Sequence, residues 1–191
     1  MDEQQSTTLT RRSRNSFPKR TFLDNERKMC PVSLFAKTGE GYEQVPDVML
    51  VECARLVLQA HFRPGAAVLR NRQLLQDFLT FEIGARDYET FGLVLLDSGD
   101  RLIDYVELFQ GTPKMVYVHA RTVVECVLKH RATAVILVHN HPHGNAQPSD
   151  ADRALTDRLR RALAVVDVQV VDHLIVGEAI FSFADRGLLL R

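Results

Sequence analysis

Residues 133–138 read Thr-Ala-Val-Ile-Leu-Val, a short, continuous run that is mostly β-branched or aliphatic. A run of this length and kind suits a strand buried on both faces, the setting of a central strand in an α/β sheet. The chain then turns polar without a spacer, as His139-Asn140-His141-Pro142-His143-Gly144. The histidines therefore fall at the carboxyl end of that strand. Side chains alternate faces in extended chain, so His139 and His141 point the same way and can converge on one ion, while Asn140 points elsewhere. Pro142, Gly144 and Pro148 mark a loop, and Ser149-Asp150-Ala151-Asp152 reads as a helix start. Leu155, Leu159 and Leu163 follow at helical spacing and form the stripe that packs on the sheet. Asp152, three residues before Leu155, falls on the same inward face, toward the histidines.

Two readings of Asp152 stand side by side. Ser149 and Asp152 have the spacing of a capping box, in which the serine caps the helix and the aspartate favours its positive amino end. Alternatively Asp152 joins the two imidazoles as a ligand. Burying an unpaired carboxylate is costly, and a cation offsets that cost. Two imidazole nitrogens and a carboxylate are the donor set of a catalytic zinc that keeps one position open for water, so a metal here points to a hydrolase. Two solvated histidines on a surface loop would leave the inward carboxylate unexplained.

With 191 residues and 46% hydrophobic content, the chain can bury one sizeable core. Lys plus Arg equals Asp plus Glu at 24 each, which gives no global field for nucleic acid or an anionic membrane. Cys30, Cys53 and Cys126 are odd in number and far apart, with no Cys-x-x-Cys spacing, which fits a reducing cytoplasm. No amino-terminal stretch reads as a signal peptide, and no run approaches the roughly twenty apolar residues of a membrane span.

Residues 1–44 are polar and weakly patterned, with a basic bias at Arg11-Arg12-Ser13-Arg14 and Lys19-Arg20. They are expected to be disordered as a solubilising leader, with a loose contact to nucleic acid as the alternative. Residues 45–66 form a helical lead-in, stopped by Arg63-Pro64-Gly65, and 67–191 the main domain. There the expected elements are a helix over 71–81, strands over 92–96 and 102–109 joined by the Asp97-Ser98-Gly99-Asp100 turn, a helix over 122–129, the strand into His139, the helix from Ser149, and two or three short strands through Phe183. The fold class is mixed α/β, a central, mostly buried sheet flanked by helices.

The spacing His139-x-His141, seven residues, Ser149, two residues, Asp152 is that of the JAMM (MPN-type) metalloprotease motif, and His-Asn-His-Pro with the following Gly and Pro-Ser resembles the bacterial RadC family. Phe109-Gln110-Gly111-Thr112, Arg121, Asp172-His173-Leu174-Ile175-Val176-Gly177 and residues 181–188 also resemble RadC signatures in order and spacing. The similarity runs from about Pro46 to the end. It implies a cytidine-deaminase-like JAMM architecture and a zinc (Zn2+) held by His139, His141 and Asp152, with a water as nucleophile whose pKa the zinc brings near neutrality. It further implies Glu89, at the family's Glu-x-Phe position, as general base, and Ser149 as a donor to the oxyanion. Glu107, Glu125 and Glu178 are the competing carboxylates. Two positions depart from the family: His143 stands where a serine is usual, and Ala120-Arg121-Thr122 replaces Pro-Arg-Glu. His143 is read as a solvent-facing loop residue, with an accessory ligand or a substrate contact as the alternatives. No helix-hairpin-helix glycine pattern is present, so the chain resembles the family's short form.

The expected function is zinc-dependent cleavage of an amide, peptide or isopeptide, in a peptide or protein substrate. The alternatives are a nucleic-acid-associated DNA-repair accessory protein with an idle metal site, and a metal-stabilised structural module. Asp172-His173 is weak as a metal site because adjacent strand residues face opposite ways. One of the pair is expected to be a buried, hydrogen-bonded structural group. His119 and His130 have no spacing that supports a role, and His61 is expected at the surface.

Overall fold

The computed structural model describes residues 9–10, 33–39, 41–112 and 116–189. In chain order its elements are β1 (Leu9–Thr10), β2 (Phe35–Lys37), β3 (Tyr42–Gln44), α1 (Asp47–His61), α2 (Arg72–Ile83), β4 (Thr90–Leu96), β5 (Leu102–Gln110), α3 (Ala120–Lys129), β6 (Ala134–Asn140), α4 (Asp150–Ala164), β7 (Gln169–Val176) and β8 (Ile180–Ser182). The chain divides into two compact units, 1–57 and 58–191.

In the first unit, β1, β2 and β3 pair antiparallel into a small sheet. No strand was expected within residues 1–44. The strands are two or three residues long and β3 is exposed throughout, so no buried face marks them in the sequence. The basic residues Arg11, Arg12, Arg14, Lys19 and Arg20 lie outside the described residues. The helical lead-in forms as α1. Among the described residues no helix is long and apolar enough to cross a membrane.

The second unit is built on a five-stranded sheet of order β5-β4-β6-β7-β8. β4 pairs antiparallel with both β5 and β6, β6 runs parallel to β7, and β8 closes the edge antiparallel. Every residue of β4 and β6 is buried, as the unbroken apolar run before His139 requires. The period of two sorts the strand residues between two cores. Val94, Leu96, Ile136 and Val138 meet α2 through Leu75, Phe78, Leu79 and Ile83. Phe91, Leu93, Leu95, Val135 and Leu137 meet α3 and α4 through Val123, Val127, Leu159 and Leu163. Fully burying an aliphatic or aromatic side chain of this size contributes about 1.5–3 kcal/mol, so the sheet is held from both sides.

Asn71 caps α2 by accepting from the Leu74 N–H at 3.2 Å. The Asp97 carboxylate closes the β4–β5 hairpin by accepting from the N–H groups of Gly99 and Arg101, at 2.8 and 2.9 Å. The connection β6–α4–β7 carries the chain from the carboxyl end of β6 over one face and back into a parallel strand. In open sheets, ligands bind beyond the carboxyl ends of strands, which is where His139 and His141 sit.

Candidate metal centre

His139 is the sixth residue of β6 and lies on the face that carries Val135 and Leu137, so its ring points under α4. His141 follows one residue beyond the strand, tethered by its N–H to the Val176 carbonyl at 2.8 Å. The loop after it depends on two glycines. Gly144 has φ +86°, in the left-handed region, and a Cβ on Gly177 would lie 2.3 Å from the Gly144 carbonyl oxygen. Glycine at both positions lets the loop lie against the end of β7 and brings the Asn145 carbonyl 2.7 Å from His141 Nδ1.

Asp152 arrives from the first turn of α4. The capping box is present: Ser149 Oγ accepts from the Asp152 N–H at 3.2 Å, while Asp152 Oδ2 accepts from the Ser149 N–H and hydroxyl, each at 2.7 Å. The other oxygen, Oδ1, lies 3.2 Å from His139 Nε2. One carboxylate thus meets both roles: Oδ2 takes the cap and lies 3.6 Å from His141 Nε2, while Oδ1 faces His139. Burial works to raise the pKa of Asp152, but the two imidazoles and Ser149 outweigh it and hold the carboxyl well below the usual range. His141 is raised: its burial is more than offset by Asp152, the Asn145 carbonyl and Glu89.

His139 Nε2 and His141 Nε2 lie 3.0 Å apart, and the Asp152 carboxylate meets both, Oδ1 at 3.2 Å from His139 and Oδ2 at 3.6 Å from His141. Among the described residues this is the group able to hold a metal ion. Ligand atoms about 2.0–2.1 Å from a tetrahedral ion lie about 3.3 Å from one another, and the three separations bracket that value. The Asn145 carbonyl can only accept, so in a neutral His141 the proton sits on Nδ1 and Nε2 presents a lone pair. When both Nε2 atoms act as ligands, two lone pairs and a carboxylate share one point, an arrangement that a cation between them stabilises. The donor set and its spacing fit a divalent ion of the borderline kind.

Glu89 lines the same cleft, of about 740 Å³, together with Phe91, Ser149, Leu155 and Arg158. It stands one residue before β4, on the Phe91 side. Its pKa is raised, first by burial and further by Asp152, against the opposing pull of His139, His141 and a hydrogen bond from the Val116 backbone. The competing glutamates are elsewhere. Glu107 pairs with Arg86, Glu125 with Arg121 on the outside of α3, and Glu178 is exposed against Gly144. His143 is exposed at the rim and outside the ligand group.

Several residues here carried no sequence signal. His119, at the start of α3, and Arg158 both line the cleft, and Arg158 donates to the Val118 carbonyl at 2.9 Å. Asn140, pointing away from the ion site, accepts from the Thr90 N–H and donates to the Tyr88 carbonyl, so its amide holds the backbone on both sides of Glu89. Of the Asp172-His173 pair, both are buried and hydrogen-bonded, where one was expected. Asp172 accepts from Ser182, the Ala184 N–H and its neighbour's N–H. His173 faces the opposite way, its Nε2 2.8 Å from His139 Nδ1 and its Nδ1 2.6 Å from Thr156 Oγ1. The pairing became visible only once parallel registration set His173 opposite Leu137.

A five-stranded mixed sheet covered by helices, with two histidines and an aspartate at its carboxyl edge, is the architecture of a JAB-type domain. The family model of the RadC-like JAB domain matches residues 69–188, and the chain belongs to that family. A UPF0758 protein of Shewanella baltica (strain OS185) is 50% identical over 137 residues, 71% of this chain and 60% of the relative. A UPF0758 protein of Shewanella denitrificans is 44% identical over 166 residues, 82% of this chain and 74% of the relative. A third, from Shewanella oneidensis, is 49% identical over 137 residues, 71% of this chain and 60% of the relative. The chain thus spans about 60% of the length of the Shewanella baltica and oneidensis relatives.

Proposed function

We propose that the chain is a zinc-dependent hydrolase that cleaves an amide bond, peptide or isopeptide, in a peptide or protein substrate. His139, His141 and Asp152 hold the ion, Glu89 is the general base, and Ser149 is the donor to the developing oxyanion. The observation that carries this reading is the convergence of two imidazole nitrogens and a carboxylate in a cleft that a half-buried glutamate also lines.

A bound zinc supplies Lewis-acid polarisation of the scissile carbonyl and brings the pKa of a water to about 7. Burial shifts the Glu89 pKa upward, which favours its taking a proton from the water and passing it to the leaving amine. The Val116 N–H and the Asn140 amide fix the carboxylate and the backbone that bears it. Ser149 directs its hydroxyl to Asp152, so donating to an oxyanion requires that hydroxyl to turn into the cleft while the backbone N–H keeps Asp152 in place. Phe91, Val116, Pro142 and Leu155 give apolar walls and Arg158 a cation, a lining suited to a length of polypeptide. A reducing cytoplasm belongs to the same reading, since Cys53 and Cys126 are free thiols.

Metal analysis and hydrolysis of peptide and isopeptide substrates test the proposal. Wild type should carry about one zinc per chain, lost in His139→Ala and Asp152→Ala. Glu89→Gln should keep the metal and lose hydrolysis by at least about a hundredfold. Full metal content in both ligand variants would overturn the site, and undiminished turnover in Glu89→Gln would overturn the base.

A further inference from the structure

The hydrogen bonds that run inward from His139 close on Asp152 itself, and their direction can be read from which atoms are able to donate. Thr156 Oγ1 lies 2.6 Å from the Asp152 carbonyl oxygen, one turn back on α4. A carbonyl cannot donate, so the single hydroxyl proton of Thr156 is committed there. The same oxygen is 2.6 Å from His173 Nδ1 and must accept, which places a proton on that ring nitrogen. His173 has no exposed surface and packs against Phe183, with ring centroids 4.8 Å apart, and edge-on to Phe91. Among the described residues no carboxylate hydrogen-bonds to its ring. An imidazolium there would be an unpaired buried charge, so the ring is neutral and Nε2 is a bare acceptor. That acceptor lies 2.8 Å from His139 Nδ1, which therefore donates. What remains on His139 for the ion site is Nε2, which faces Asp152 Oδ1 and His141 Nε2.

We propose that Thr156 and His173 are positioning residues that preset His139 in its Nδ1–H tautomer, so that Nε2 is ready to bind the metal before the metal arrives. The inference rests on the metal reading above and adds to it a device outside the ligand set. The remaining nitrogen of a metal-binding histidine is ordinarily held by a carboxylate, a carbonyl or water. Here another histidine takes that place, and since a histidine can donate or accept, it needs a partner to set its direction. Thr156 is that partner. Its own direction is fixed by the backbone of Asp152, whose carboxylate belongs to the ion site. The site is thereby tied into a ring of contacts: Asp152 carbonyl, Thr156, His173, His139, Asp152 carboxylate.

The test has a metal-free arm and a metal arm, both on the full chain. Nitrogen-15 NMR of the metal-free protein should show His139 with its proton on Nδ1, and Thr156→Val should lose that preference. Competition of Zn2+ against a chromophoric chelator should show Thr156→Val and His173→Leu binding about 10–100-fold more weakly than wild type, with Thr156→Ser close to wild type. Thr156→Val keeps the shape of the side chain, so it carries the test if His173→Leu does not fold. Wild-type His139 protonated on Nε2, or a folded Thr156→Val that binds Zn2+ as tightly as wild type, overturns the proposal and leaves the metal reading standing. A wild-type chain that binds no Zn2+ overturns both.

Discussion

Asn140 accepts from the Thr90 N–H at 2.7 Å, joining the tip of β6 to the start of β4 between two histidines that face the other way. Its amide also donates to the Tyr88 carbonyl at 3.0 Å. Asn140→Ala should leave both backbone groups short of a partner, at about 1–3 kcal/mol for each one that stays buried. Zinc content should be kept, because the ligands lie on the opposite side of the strand. Denaturant unfolding with metal analysis on the same sample checks this, and loss of zinc at unchanged stability would contradict it.

Ser149→Ala removes the hydroxyl that caps α4 and anchors Asp152. The expected loss is about 1 kcal/mol of stability, recovered in Ser149→Thr. Zinc affinity should fall by less than about tenfold, since the Ser149 backbone N–H still holds the same carboxylate oxygen. Thermal unfolding and chelator competition measure the two effects separately.

Gly177→Ala would place a methyl group 2.3 Å from the Gly144 carbonyl oxygen, a backbone atom that cannot swing aside. The loop must shift, at about 1–3 kcal/mol, and the Asn145 carbonyl moves away from His141 with it. Weaker zinc binding should accompany the lower melting temperature. A variant less stable but with wild-type affinity would show the loop to be irrelevant to His141.

Asp172 offers a pH test away from the ion site. Burial raises its pKa, against the pull of Ser182, the Ala184 and His173 N–H groups and Arg72. A carboxyl raised in the folded state adds stability below its unfolded pKa, near 3.8, and loses it as pH climbs through the folded value. Asp172→Asn has no such titration. The stability of wild type relative to Asp172→Asn should therefore decline from acid toward neutral pH and then level off, as followed by urea unfolding across that range. A relative stability that rises with pH would reverse the sign assigned here.

Much of the sheet was legible because burial on both faces leaves an unbroken apolar run, as before His139, and because Leu155, Leu159 and Leu163 repeat at helical spacing. Ser149 and Asp152 were legible as a pair, although residues alone left cap and ligand as rivals where one carboxylate makes both sets of contacts. Glu89 came from resemblance, since a glutamate before a strand has no signature of its own. His173, Thr156, Asn140 and Arg158 were hidden for another reason. Their partners lie 17 to 52 residues away or on another element, and only strand register and helix docking bring them together. The strands β2 and β3 were missed because, at three residues each and largely exposed, they offer no alternation to read.

The three proposed ligands come from one contiguous stretch, residues 139–152, whereas Glu89 comes from a strand fifty residues earlier that must pair alongside β6. Closing a short loop is entropically easier than recruiting a distant segment. On the proposed reading, capture of the ion and delivery of the base would be separable stages of folding. A chain halted with β4 undocked would be loaded yet inert, so metal content by itself would overcount the finished molecules in a preparation.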